Sequence, residues 1–287
     1  MDSGATLDRD WLAEDIECRA WRDMHEAVPE RLAHRLGLGL EQFRGITLTT
    51  CLAYDDGLAN RAFGPGLLEP LADDTIGRLV GHFRSRGLRN FALQMKAGSR
   101  VSGHGSWLTQ HRLERRNGWV ILCHEDEAPP EIDVPFRVDE ITHEGAASFA
   151  DTAGAGFGWP KPRAAWMSAT VGRPGWHHYI DSTGRNTMGC GALYVSGRVG
   201  WLGMATTRAR YRRRGVQTAL LHRRIRDARA LGCRSIFAQT GETNPSYNNL
   251  LRAGFLLVHV RDNFSEPVPD AVAPSRWRQM FSPEVVR

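Results

Sequence analysis

Lysine is almost missing from this chain: of its 37 basic residues only Lys96 and Lys161 are lysines, so arginine supplies nearly all the positive potential. Its cations are therefore planar forks suited to phosphate and carboxylate rather than compact point charges. Cysteine is scarce as well. Cys18, Cys51, Cys123, Cys190 and Cys233 are odd in number and scattered, with no C-x-x-C pair, so neither a disulfide framework nor a thiolate zinc site is indicated and no metal is expected. No apolar stretch is long enough to cross a bilayer, and "MDSGATLDRDWLAED" has no apolar signal core, which reads as a cytoplasmic chain with no membrane partner. A Walker-type G-x-x-x-x-G-K-[ST] is absent. The net charge of +5 is modest. The arginines are not spread over a face interleaved with aromatics, and no groove-reading motif accompanies them, so no nucleic-acid partner is expected.

What is present suits a folded α/β chain of 287 residues, with 41% hydrophobic and 24% charged side chains. The acidic, proline-bearing segment "EDEAPPEIDVP" lies near the middle. It suggests a division into 1–126, a linker at 127–135, and a second domain at 136–287. Across that divide "RSRGLRNFALQ" (84–94) pairs with "RALGCRSIFAQ" (229–239), each predicting a helix ended by glycine, Gly87 or Gly232, and followed by a strand. Further on, "LERRNGWVIL" and "NNLLRAGFLLV" both predict a helix closed by glycine, Gly118 or Gly254, before another strand. Other expected elements are helices in "DRDWLAEDIECRAWRDM" and "PERLAHRL" and a strand in "GITLTTCLAY". In the second half we expect a strand at 136–141, helices at 144–155 and 163–170, a strand at 177–180 and a hairpin at 187–207. "GAGFG" (154–158) follows a helical stretch rather than a strand, so a turn is expected there and not a dinucleotide fingerprint.

The stretch "YRRRGVQTALL" carries the most chemistry. A helix N-terminus presents amide groups without internal partners and the positive end of the helix dipole, so a docked phosphate gains several hydrogen bonds at once. Gly215 lets the backbone approach a diphosphate, and Arg212, Arg213 and Arg214 add the charge that a helix end alone does not supply. Val216 with Leu220, and Leu221 with Ile225 and Ala228, form inward tracks that would hold the helix. The half before 126 has "EPLADDTIGRLV" at the matching place and does not read as an anion site.

The loop Arg212-Arg213-Arg214-Gly215-Val216-Gln217 resembles the signature [QR]-x-x-G-x-[GA] of the GNAT superfamily of acyl-CoA N-acyltransferases, with Gln217 standing where the strict pattern has a small residue. "ETNPSYNNLLRAGF" resembles a second family segment. The resemblance covers residues 185–264 and extends by architecture to 136, with the N-terminal half resembling the family as a worn copy. It implies tandem lobes, each a mixed, mainly antiparallel twisted sheet flanked by helices. It also implies an acetyl-CoA-dependent N-acetyltransferase in which a small primary amine attacks the thioester directly in a ternary complex; the alternative is an acyl-CoA-binding protein with a regulatory, non-transferase role. The coenzyme would lie on the backbone of Met204, Ala205 and Thr206, on the loop from Arg212 through Gly215, Val216 and Gln217 to Thr218, and against Asn244 and Asn249.

The family's usual thiolate donor is a tyrosine four residues before the glycine of the G-F pair, and here that position is Leu250. Tyr247, one turn earlier, is the substitute candidate. The hairpin 187–207 offers no carboxylate base, which leaves His178 or its neighbour His177, and Glu242. Trp159, Trp166, Trp176 and Trp201 are candidates for either an acceptor wall or ordinary core. Cys190 lies near the thioester path, but with no identifiable histidine partner covalent catalysis is disfavoured. Oligomeric state, acyl length and the identity of the acceptor stay open.

Overall fold

The computed structural model describes residues 3–66, 71, 73–96, 106–125, 129, 133–183 and 186–267. The linker expected at 127–135 lies largely outside them, as does everything after 267. The first half runs α1 (Ser3–Glu26), α2 (Glu30–Leu36), β1 (Leu38–Phe43), β2 (Ile46–Cys51), β3 (Arg61–Phe63), α3 (Asp73–Arg84), β4 (Ala92–Lys96), α4 (Ser106–His111) and β5 (Glu114–His124). The second runs β6 (Arg137–Ile141), α5 (Ala146–Phe157), α6 (Lys161–Met167), β7 (Trp176–Thr183), β8 (Asn186–Ser196), β9 (Val199–Thr207), α7 (Val216–Ala230), β10 (Ser235–Gly241), α8 (Pro245–Arg252) and β11 (Leu256–Ser265).

Among the described residues all eleven strands join one mixed sheet in the order β1-β2-β3-β4-β11-β5-β10-β9-β8-β7-β6. Read inward from each side, β1-β2-β3-β4-β11 corresponds to β7-β8-β9-β10-β5, with β6 added outside β7. Only β3–β4 and β10–β9 pair in parallel, and the other pairs are antiparallel. The centre is the β11–β5 pair, where the last strand of each half sits beside the fourth or fifth strand of the other: β11 against β4, and β5 against β10. Each half thus completes the other's sheet, and neither leaves an open edge at the centre.

The repeat seen in the sequence falls on matching places. Gly87 (φ +74°) and Gly232 (φ +87°) both end a helix in the left-handed conformation before β4 and β10. The second match does not hold. Gly254 (φ +91°) follows α8, but "LERRNGWVIL" is strand β5 and Gly118 lies within it. The charges that suggest a helix surface are paired across strands instead: Arg115 donates to Asp262 at 2.6 Å and to Glu242 at 3.1 Å. A β-carbon on Gly118 would lie 2.8 Å from the carboxyl carbon of Glu242, so the glycine makes room for a neighbour rather than ending a helix. The "GAGFG" segment, expected as a turn, is instead the last turn of α5, with only Gly158 (φ 72°) beyond it as the left-handed cap; the stretch before it is helix, not strand.

Three apolar clusters hold the layers together. On one face, residues of α1, α2, α5 and α6 pack around Trp21, Phe149 and Trp166. On the other, α7 and α8 pack with Leu220, Ile225, Ile236 and Phe255, and α3 and α4 with Ile76, Phe83, Leu93 and Trp107. Strand alternation explains the division: Trp201 faces the first cluster and Leu202 the second, as do Phe237 and Ala238.

Candidate active site

Strands β9 and β10 pair in parallel only from Val199–Leu202 against Ser235–Ala238. Beyond that register β9 bends away. Its pairing with β8 shifts between Cys190/Thr206 and Ala192/Gly203, and Met204 adopts φ +51°, a conformation a side chain rarely takes. The result is a cleft with Gly203, Met204 and Ala205 on one wall and Gln239, Thr240 and Gly241 on the other. The indole of Trp201 occupies the space above Gly203, where a β-carbon would come within 2.2 Å of it.

One mouth of this cleft meets the start of α7. Gly215 takes φ +80° as the N-cap, no side chain caps the helix, and a β-carbon there would meet only Val134, at 3.7 Å. The amides of Val216, Gln217 and Thr218 precede the first intrahelical bond, which runs from Ala219 to the Gly215 carbonyl at 3.0 Å. Among the described residues no backbone group engages them, and there is room above the turn. Arg212, Arg213 and Arg214 are exposed around this turn, and among the described residues none pairs with a carboxylate. Arg214 and Arg210 lie over the Tyr211 ring at 5.7 and 4.7 Å, while Arg212 donates to the Thr207 carbonyl at 3.4 Å. Gln217 lines the cleft and joins the turn to it. Val216, Leu220, Leu221, Ile225 and Ala228 are all buried, so the inward tracks hold the helix as the spacing predicts.

The other expected residues are placed unevenly. Asn244 and Asn249 line the cleft. Asn244 also caps α8 by accepting from the Ser246 amide at 2.9 Å, and Asn249 accepts from Arg252 at 2.5 Å. Thr206 is buried beneath the wall. Tyr247 packs against the α7 cluster without lining the cleft. Glu242 stands just past Gly241 and accepts from the Gly118 amide at 2.8 Å and from Arg115. His178 points inward and is buried, between Phe149 and Trp176, with Nε2 3.2 Å from the Thr170 hydroxyl; burial first, and then His177, lower its pKa to about 3. His177 points outward to Glu140 at 2.7 Å. The Cys190 thiol is buried and pushed up to about 12, which removes it as a thiolate nucleophile near neutral pH. Among the described residues no carboxylate lines the cleft.

Of the four tryptophans, Trp159 and Trp201 line the cleft, whereas Trp166 and Trp176 are core. Trp21 of α1 and Trp119 of β5 join the wall from the first half of the chain, and Trp159 stacks on Phe157 with ring centres 4.2 Å apart. Nothing local in the sequence marks Trp21 or Trp119, because only the strand exchange and the passage of α1 over the sheet bring them there.

Arg224 is a cleft-lining residue that the sequence reading passes over. It lies on the inward track between Leu220 and Ala228, four residues from each, and is 2% exposed. Nε donates to the Leu220 carbonyl at 3.0 Å, and Nη1 to those of Ala192 and Gly203 at 3.1 and 3.4 Å. No carboxylate pairs with it among the described residues, and burial brings its pKa down to about 10, so it stays a cation at neutral pH. Gly191 gives it room, since a β-carbon there would lie 2.9 Å from Cζ. The readable signal is an arginine in register with an otherwise apolar helical track.

Residues 148–255 match the model of the Acetyltransferase (GNAT) family. No curated protein sequence matches the chain. Among solved structures, a GCN5-related N-acetyltransferase from Kribbella flavida is 12% identical, with a TM-score of 0.60 over 81% of this chain and 90% of its own. One from Sphaerobacter thermophilus is 15% identical, with a TM-score of 0.56 over 81% and 84%. A GNAT-family acetyltransferase from Colwellia psychrerythraea is 12% identical, with a TM-score of 0.53 over 93% and 98%. At such identities the structures speak to fold, and they share it over most of the chain. The splayed strands and the uncapped glycine turn both lie inside the segment 148–255 that matches the Acetyltransferase (GNAT) family model.

Proposed function

We propose that the protein is an acetyl-CoA-dependent N-acetyltransferase with one active site, in its C-terminal half, and that the acceptor is a small molecule with a primary amine. One observation carries this reading: the gap between β9 and β10 opens directly onto the uncapped first turn of α7. The diphosphate of the coenzyme sits on the amides of Val216, Gln217 and Thr218 with Arg213 and Arg214 beside it, and its pantetheine arm enters the gap toward Met204 and Asn249. The residues present suit that group, because Gly215 leaves the space above the turn open.

The amine enters from the aromatic side, where Trp21, Trp119, Trp159 and Trp201 favour an apolar or aromatic body over a polycation. With no carboxylate in the lining among the described residues, the proton lost on attack leaves through water in the cleft. Further parts of the same proposal are a cytoplasmic setting and a division into a worn lobe (1–126) and a catalytic lobe (136–287) that exchange their last strands. Among the described residues no helix is long and apolar enough to cross a membrane.

Calorimetry with acetyl-CoA on coenzyme-free protein, followed by an assay of free CoA thiol over a panel of small amines, tests the reading. Binding followed by amine-dependent thiol release is expected. Absence of binding at millimolar acetyl-CoA would overturn it, and binding without turnover over a broad panel would replace it with the non-transferase reading that Leu250 suggests.

A further inference from the structure

A buried arginine is costly unless something answers its charge, and the other deeply buried arginines here are answered. Arg261 meets Glu14 at 2.7 Å and Glu17 at 2.8 Å, and Arg163 meets Asp56. Among the described residues Arg224 meets only the carbonyl oxygens of Leu220, Ala192 and Gly203. Those bonds use the N–H of Nε and both directions from Nη1, which leaves Nη2 as the free donor of a guanidinium that lines the cleft. A carboxylate wants two donors along one edge of the fork, and both edges are already committed to the backbone. The remaining nitrogen suits a single anionic atom. The guanidinium lies beside the Gly203 carbonyl, to which Nη1 donates at 3.4 Å, where β9 leaves β10 and where an acyl thioester on this site would place its reacting end. Leu250 lines the same cleft and has no proton to give.

We infer that Arg224 is a catalytic residue that receives the thiolate of departing CoA through Nη2, in place of a tyrosine that would protonate it. The inference rests on the acyl-CoA reading of the cleft. As the amine nitrogen forms its bond to the thioester carbon, the carbon–sulfur bond breaks and its electron pair goes to sulfur. Arg224 donates a hydrogen bond to that sulfur and keeps its proton. The amine's proton passes to water, and CoA leaves as the thiolate to be protonated in solution. The titratable groups facing the guanidinium are Tyr179 of β7 and Cys190 of β8. Burial raises the pKa of both, so neither offers a competing anion in the range where a thiol ionises.

Free CoA is the probe, because it needs no acceptor. Its thiol is titrated on the protein by the ultraviolet absorbance of the thiolate, with desulfo-CoA as the sulfur-free control. The wild-type protein should prefer the thiolate over the thiol by about tenfold or more, as expected for an opposite charge within a few ångströms. Desulfo-CoA affinity should stay flat over the same pH range. Arg224→Leu should abolish the preference while still binding desulfo-CoA. Arg224→Gln, which can still reach one backbone carbonyl without carrying charge, serves if the leucine variant does not fold, and Arg224→Lys should keep part of the preference. Ionisation like that of free CoA on the wild-type protein, or an unchanged preference in the leucine or glutamine variant, overturns the inference. If neither uncharged variant folds, the wild-type titration decides. CoA that binds without preferring the thiolate refutes only the role of Arg224, whereas CoA that does not bind at all refutes the function proposed above.

Discussion

The two halves of the sheet are built alike and charged differently. In each, an antiparallel run leads into a parallel pair, β3–β4 or β9–β10, with a helix between that ends in a left-handed glycine. At the first half's parallel pair the buried space is filled from within. Glu14 and Glu17 of α1 reach down to Arg261, and Arg61 lies 3.6 Å from Glu17 and stacks over Trp21 at 4.0 Å. His259 bridges Asp10 and Glu14 at 2.8 and 3.1 Å, and Gln94 joins Asn263 at 2.9 Å. At the second half's parallel pair the strands part, and the buried cation there, Arg224, has no carboxylate. The helix starts differ in the same sense. Asp73 and Asp74 open α3, and Asp74 is held by Arg44 at 3.3 Å, whereas α7 opens after three arginines that meet no carboxylate among the described residues. One half satisfies its charges internally; in the other, among the described residues, Arg224 and the three arginines before α7 meet no carboxylate.

Cutting the internal charge network should have the largest effect. Arg261→Met leaves Glu14 and Glu17 buried without their main partner, and should cost about 3–5 kcal/mol of stability in urea unfolding. The coenzyme site should be disturbed less than the fold, since Arg261 is not part of the cleft lining.

Making α7 begin as α3 does should come next. The double substitution Gln217→Asp with Thr218→Asp puts two carboxylates on the first turn, where they favour the helix dipole by about 0.3–1 kcal/mol each but repel a diphosphate. Acetyl-CoA affinity should fall by about tenfold or more in calorimetry, a loss of at least ~1.4 kcal/mol of binding, with no fall in melting temperature. Unchanged affinity would separate the helix start from the coenzyme.

The smallest effect is in pH dependence, where the buried histidines part from the carboxylate network. Burial lowers the pKa of His25 to about 4 and of His178 to about 3, against an ordinary 6.5. The unfolded chain therefore binds more protons between those values, and the stability from keeping the rings neutral is complete above about pH 6.5 and lost as pH falls toward the folded values. Glu14 behaves otherwise. Burial would raise its pKa, but Arg261 and His259 outweigh burial and lower it, so its contribution is lost only below the ordinary carboxylate range. His178→Phe should flatten the fall in stability between pH 6.5 and 4 without moving the acid limb below it, as read from urea midpoints across that range.

Much of this was legible residue by residue. The glycine turn, the helix it opens, the inward track and both glycine-ended helix-to-strand junctions follow from backbone sterics and helical spacing, which act over a few neighbours. The nature of "LERRNGWVIL" was not legible, because its arginines look like a helix surface until Asp262 and Glu242 stand opposite them. Arg224 was half legible. Its spacing places it inward, but whether a buried arginine is paired depends on strands 21 and 32 residues away, as its bonds to Gly203 and Ala192 show.

Local order along the chain thus decided where an anion can dock, since an uncapped helix start beside a glycine is complete within about ten residues. Long-range pairing decided the rest: which strands part, which tryptophans reach the opening across the exchanged strands, and which buried charge is left without an answer. Those outcomes depend on which groups share a low-dielectric interior, and separation along the chain does not encode that.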